Sequence, residues 1–293
     1  MATKTKIIFI AAIVISLIVF ILEFSGAFAF LSDKLLLKHD YIGENKLVFV
    51  DVDDGNCAII QSGDKTAIIN FGGVLDGGNS LIKAIRKYRI TKVDYAFVNL
   101  SDENHLGGFI SISDLVDINK VVIPNLEDFT DNNSVTSLAV KEEILNHYNY
   151  EIVELNKNYQ VGEFTVTPFY YKPNILIPNG RAVIYKVFAN EHSAIIGGSF
   201  HKDIMYELLA QDYNLKTDIF LIPGFSSGES LSLPFINSLN AKYLISSSAF
   251  KNDYYIQQDI EFLKKNHNIY RTDINGDIVF YFNKDGLILK TER

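Results

Sequence analysis

Two stretches of this chain repeat one order of elements: a hairpin, a Gly pair, a helix, a buried strand, then a polar loop. Gly72 and Gly197 lie 125 positions apart, and Asp94 and Asp218 lie 124 apart. In the first stretch the strands Cys57–Gln61 and Thr66–Asn70 lead to Gly72-Gly73. A helix follows with Leu81, Ile82, Ile85 and Tyr88 on one face, capped by Asn79 or Ser80. The apolar run Val93–Val98 then reads as a strand that opens into Ser101-Asp-Glu-Asn-His105. In the second, Ala182–Phe188 and Ser193–Ile196 lead to Gly197-Gly198, a helix from Asp203, the strand Asp218–Ile222 and the loop Pro223–Gly228. A period this long is not a solenoid. It predicts two pseudo-equivalent halves, about 46–175 and 180–293, each a sheet covered by helices, whose loops meet at a shared edge.

The other elements fit that scheme. Lys46–Asp51 reads as a strand, Val121–Pro124 as a short one, Val140–Tyr148 as a helix and Tyr159–Thr167 as a hairpin. Pro173, Pro178 and Asn179 break the chain between the halves. Ser232 opens a helix, Ala241–Ser246 is a strand, Ile256–Lys265 a helix, and Asp277–Lys290 a closing hairpin. Cys57, the only cysteine, excludes an intrachain disulfide and a cysteine-rich zinc site, and its apolar setting marks it as core.

Ahead of this body stands an apolar run, Ile7–Leu22, broken only by Ser16 and preceded by Lys4 and Lys6. Residues 1–31 read as an N-terminal transmembrane anchor, with the helix continuing through Phe24 to Leu31, and 32–45 as a spacer. The basic flank places the N-terminus in the cytoplasm and residues 46–293 outside the cell membrane. Ala27-Phe28-Ala29 leaves open a secreted protein released by signal cleavage. Of 27 basic and 35 acidic residues, only Lys4, Lys6 and Glu23 fall in this segment, so the rest carries a net charge of −9. An acidic body argues against non-specific nucleic-acid binding. The partners expected are the membrane, through residues 7–31, and a protein, glycan or small-molecule ligand. Aromatic residues at Phe169-Tyr-Tyr171 and Tyr254-Tyr255, read as loops, would suit a sugar.

The loop after Val98 is the first candidate site, because acids and a histidine at the end of a buried strand sit where sheets place chemistry. Its candidates are Asp102 and His105. With Asp51, Asp53, Asp54 and Glu103, Asp102 would make an oxygen-rich cluster suited to calcium or magnesium if all five met at one edge. The second candidate is Ser226, since Gly224-Phe-Ser-Ser-Gly228 fits Gly-x-Ser-x-Gly after a strand. Pro234 delays the helix a nucleophile elbow needs, and no histidine is placed by motif to take its proton.

These motifs, in this order and spacing, resemble the metallo-β-lactamase fold, and within it the extracellular C-terminal domain of ComEC competence proteins. Asp51-Val-Asp-Asp-Gly-Asn56 is similar to that family's Asp-Val-Gly-Gln-Gly-Asp, and Ile69-Asn-Phe-Gly-Gly73 to its Ile-Asp-Thr-Gly-Gly. Residues 94–108 lie over its strand and Thr-His-x-His-x-Asp-His-x-Gly-Gly signature. Ile195–Ser199 lies at its Leu-Thr-Gly-Asp, Ile222–Ser227 at its Val-x-His-His-Gly-Ser, and Tyr270–Gly276 at its late Tyr-x-Thr-Asp-x-x-Gly. The resemblance implies an α/β fold, a four-layer αββα sandwich, and paired metal ions that generate hydroxide. It also implies which positions have changed. Leu100 and Asp102 stand where two ligand histidines belong, Asn104 where an aspartate belongs, and Ser199 where the bridging aspartate belongs. Gly224 and Phe225 replace a histidine pair, and only His105 is kept. A leucine cannot coordinate, so the expectation is a pseudoenzyme with no cofactor. If any ion binds, it is a divalent zinc, manganese, magnesium or calcium at Asp102 and His105, which would make a rebuilt phosphodiesterase-like hydrolase the rival reading.

Overall fold

A computed structural model describes residues 44–131, 134–172, 182–211, 213–223, 232–247, 261, 263–265 and 267–293. The apolar segment 7–31, Gly224, Phe225, Ser226, Tyr254-Tyr255 and most of the expected helix 256–265 lie outside the described residues. Among the described residues no helix is long and apolar enough to cross a membrane.

The chain enters through β1 (Lys46–Phe49), β2 (Ala58–Ser62) and β3 (Lys65–Ile69), an antiparallel meander. Helix α1 (Asn79–Lys87) follows, with Leu81, Ala84 and Ile85 buried. Its first turn is held by Asp76, whose carboxylate accepts from Gly78 N and Ser80 N at 2.8 and 2.7 Å, and not by the expected Asn79 or Ser80. The expected strand Val93–Val98 divides at Asp94 into β4 (Lys92–Val93) and β5 (Tyr95–Phe97). The cause is the Asp94 carboxylate, which turns back to accept from Thr66 N at 3.0 Å and Lys65 Nζ at 3.2 Å.

Next come α2 (Glu103–Leu106), α3 (Phe109–Ser113), β6 (Asp117–Ile118), which pairs with β4, and β7 (Val121–Ile123). After α4 (Asp128–Asp131), α5 (Val135–His147) starts earlier than its apolar positions suggest, because Ser134 accepts from Ser137 N and caps it. Strand β8 (Tyr150–Ile152) ends the first run.

Strands β9 (Tyr159–Val161), β10 (Phe164–Tyr170), β11 (Ile184–Ala189) and β12 (His192–Ile196) form a second meander. Helix α6 (Lys202–Ala210), β13 (Ile219–Leu221), α7 (Leu233–Leu239), β14 (Tyr243–Ser246), β15 (Asn268–Arg271) and α8 (Thr272–Asn275) follow. The hairpin β16 (Ile278–Asn283) and β17 (Gly286–Thr291) closes the chain. Phe169 and Tyr170 belong to β10, whose burial alternates along the strand. Tyr170 is 4% exposed and the Tyr171 hydroxyl is hydrogen-bonded to Asp128, so these rings are not a loop lip.

The first sheet runs β17-β16-β1-β2-β3-β5-β7-β8 and the second β15-β14-β13-β12-β11-β10-β9. The chain therefore does not change sheets at the Pro-rich break, because β9 and β10 already lie in the second sheet and β16–β17 return to the first. Three apolar clusters set the layers. Between the sheets lie Phe49, Phe97, Tyr185 and Phe280. Outside the first sheet, Leu81, Phe109, Val140 and Ile144 pack from α1, α3 and α5. Outside the second, Ile204, Leu208 and Phe235 pack from α6 and α7. This is a helix–sheet–sheet–helix sandwich. Most strands read as continuous apolar runs because both faces are covered.

Candidate functional site

The C-terminal ends of β3 and β5 lie side by side in parallel register, so the chain after Ile69 and the chain after Phe97 emerge at one edge of the first sheet. There three loops interlock through backbone hydrogen bonds. Phe71 N donates to His105 O at 2.8 Å, Gly107 N to Gly72 O at 2.9 Å, and Gly108 N to Phe71 O at 3.0 Å. The loop before β2 joins them, with Gly72 N donating to Asn56 O at 3.0 Å and Gly73 N to Asp54 O at 2.7 Å. Gly107 is not a left-handed turn residue, since its φ is −53°. It is glycine because a Cβ there would stand 2.0 Å from the Gly73 carbonyl oxygen.

Within this knot His105 is fully buried and makes hydrogen bonds through both ring nitrogens. The relay has one direction. Asn99 N donates to Asn70 Oδ1 at 3.1 Å, and Asn70 Nδ2 donates to Asn56 Oδ1. Asn56 Nδ2 then donates to His105 Nε2 at 3.2 Å. An accepting Nε2 puts the ring proton on Nδ1, which faces Asp102 Oδ1. The same Asp102 oxygen accepts from Asn104 N at 3.0 Å and caps α2. Sequence reasoning identified His105 and Asp102 but missed the amides. The available signal was that Asn56 and Asn70 fill two aspartate positions of the resembled motifs.

Of the other positions named from sequence, Leu100 and Ser199 are both buried. Leu100 is 5% exposed and packs with Tyr170, Ile184, Phe200 and Ile204, so the loop of the first sheet is pinned into the helical layer of the second. Ser199 is buried beside Gly198. Gly198 has φ +59°, and a Cβ on it would stand 2.6 Å from Asn99 Oδ1 and 2.8 Å from His105 Nε2. The Asn99 side-chain amide is buried with no hydrogen-bond partner among the described residues. The candidate acidic cluster is not assembled, and its members serve turns and ion pairs instead. Asp51 pairs with Arg293 and its N–H donates to Asp277 at 2.9 Å, Asp54 accepts from Leu75 N at 3.3 Å, and Asp102 holds His105. Burial raises the Asp51 carboxyl above its ordinary value against the pull of Arg293, with Asp53 and Asp277 adding to the rise. Asp51 instead lines a cleft of about 330 Å³ with Lys83, Lys87, Asp277 and Glu292. Burial likewise pushes up the Cys57 thiol, as expected of a core cysteine.

Zinc takes an imidazole through a nitrogen lone pair, usually with two or three further nitrogen, sulfur or carboxylate ligands. Here the Nε2 lone pair faces an amide donor, and among the described residues no three His, Cys, Asp or Glu side chains converge to hold an ion. The described residues do not fit a dinuclear centre. The arrangement can orient an imidazole and, among the described residues, offers an amide at Asn99 without a hydrogen-bond partner.

No family model matches the sequence, and no curated protein is significantly similar to it. Solved structures match in shape. The metallo-β-lactamase fold protein YhfI from Bacillus subtilis superposes with a TM-score of 0.51 at 13% identity, over 77% of this chain and 96% of its own. CmlA, a diiron β-hydroxylase from Streptomyces venezuelae, gives 0.50 at 11% identity over 79% of this chain, which spans 53% of CmlA. At such identities the likeness carries the architecture alone: this chain has the metallo-β-lactamase fold.

Proposed function

We propose that this chain is a membrane-anchored, extracytoplasmic domain of the ComEC-like type that has given up two-metal hydrolysis and serves as a binding or scaffold protein at the cell surface. The observation that carries the reading is His105, the one retained ligand histidine, engaged through Nδ1 by Asp102 and through Nε2 by Asn56. Neutral amides at 56 and 70 support it, because a buried dication needs negative charge nearby and, among the described residues, only Asp102 offers it at His105. The Asn99 amide, without a hydrogen-bond partner among the described residues, favours binding over a purely architectural role, since buried polar groups ordinarily have a protein or water partner. The anchor rests on the apolar run 7–31 and its basic flank. Intact mass of the membrane-fraction protein separates it from a cleaved signal. Elemental analysis of the purified full chain, with a phosphodiester and ester screen, tests the rest: no turnover and no stoichiometric metal are expected. Zinc or manganese bound one-to-one and lost in His105→Ala would overturn the proposal.

One observation favours a second reading. An aspartate that fixes a buried imidazole is also how general bases are oriented. A hydrolase rebuilt on Asp102 and His105 predicts turnover of a phosphodiester that disappears in Asp102→Ala.

A further inference from the structure

The two sheets have four edges, and three are blunted. Strand β8 has three residues, and its Glu151 is tied to Lys120 and Lys157. Strand β9 also has three residues. Strand β15 has four, ending in Arg271, which pairs with Asp273. The fourth, β17, has six residues, Gly-Leu-Ile-Leu-Lys-Thr, with Lys290 its only charge and Ile288 49% exposed. Among the described residues no strand pairs with its outer side. A long, apolar, unpaired edge is a template for another strand.

The direction of its free backbone groups is fixed by two hydrogen bonds. Glu292 N donates to Asp277 O at 3.1 Å, so residue 292 points into the sheet. Phe282 N donates to Asn45 O at 2.8 Å, away from Leu287, its partner on β17. Inward and outward pairs alternate along an antiparallel ladder. Leu287, Leu289 and Thr291 therefore present their N–H and C=O groups to the open side.

We propose that β17 is a self-association edge, on which a second copy of this chain pairs antiparallel in a register centred on Ile288. That register satisfies each constraint. It makes Ile288 a non-hydrogen-bonded pair with itself, flanked by Leu287 and Leu289 in hydrogen-bonded pairs. Leu287 and Leu289, packed against the inter-sheet core, then extend that apolar layer across the dyad. Lys290, over the Tyr281 ring, falls opposite Gly286, so no like charges face one another. Glu292 of one copy comes toward Lys284 of the other. The occupant is a second copy because the strand is complementary to itself about its own centre, as a two-fold interface requires.

The test uses the full chain in detergent, where Cys57, buried and the only cysteine, gives a clean background. A non-hydrogen-bonded pair brings its Cβ atoms to about 4.5–5.5 Å, close enough for a disulfide after small adjustment. Ile288→Cys is expected to give a disulfide-linked dimer on mild oxidation. Ile152→Cys, 45% exposed on the β8 edge, is expected to stay monomeric. Ile288→Lys, which sets two ammonium groups across the dyad, is expected to lower the dimer fraction in sedimentation velocity about tenfold with an unchanged unfolding midpoint. Sedimentation of the parent chain as a monomer would overturn the proposal. So would cross-linking of Ile288→Cys no better than Ile152→Cys, which would indicate collision or association through another segment.

Discussion

His105 and Leu100 show how a buried polar group and an apolar one are each accommodated in the loop after β5. His105 remains buried because Asn56 and Asp102 satisfy both its nitrogens, and Leu100 remains because the helical layer of the second sheet receives it. A histidine at 100 therefore removes apolar contacts and buries an imidazole in the cluster of Tyr170, Ile184 and Phe200. Leu100→His is expected to lower stability by about 2–4 kcal/mol in urea unfolding without creating zinc affinity in calorimetry. His105 and Asp102 were legible as a site in the residues themselves, because an acid and a histidine follow a buried strand, and a leucine at 100 cannot coordinate. The amide relay was not. It depends on 56, 70, 99 and 105, which are distant in sequence and brought within hydrogen-bonding distance only by three interlocked loops.

At the scale of elements, the interlocked loops and the edge strands each carry a prediction. Gly107 packs against the Gly73 carbonyl in a backbone geometry any residue adopts, so its replacement fails for lack of space and not for strain. Gly107→Ala is expected to destabilise by about 1–3 kcal/mol by thermal or urea unfolding, with Gly77→Ala, whose Cβ would meet open space, giving the smaller loss that its positive φ alone imposes. On the β8 edge, burial alone would raise the Glu151 carboxyl. Its hydrogen bonds from Lys157, Tyr159 and Lys120 outweigh that and bring it to about 2 from an ordinary 4.5. The folded state then holds its proton less tightly than the unfolded chain. The stabilisation is complete above about pH 4.5 and is lost as pH falls toward 2. Glu151→Gln is expected to flatten that part of the acid-unfolding curve. Where sequence pattern erred on elements, side chains acted on backbone: Asp94 split an apolar run into two strands, Asp76 capped α1, and Ser134 started α5 early.

Over the whole molecule, the repeated order of elements marks two similar local solutions. Asp94 accepts from Thr66 N in one sheet, and Asp218 accepts from Ser193 N at 2.8 Å in the other. What the repeat does not encode is how strands are shared, since β9 and β10 cross to the second sheet while β16 and β17 return to the first. Packing across the inter-sheet layer, where Phe280 of β16 meets Tyr243 of β14, decides that, and no local period reports it. At the sheet edge after β3 and β5 the sandwich thus gathers amides, an engaged imidazole and a leucine. Elemental analysis by plasma mass spectrometry, on full chain exchanged against excess zinc and manganese and then desalted, tests this most directly. Substoichiometric metal that His105→Ala leaves unchanged is expected. One or two equivalents retained by the parent chain and lost in His105→Ala would contradict it.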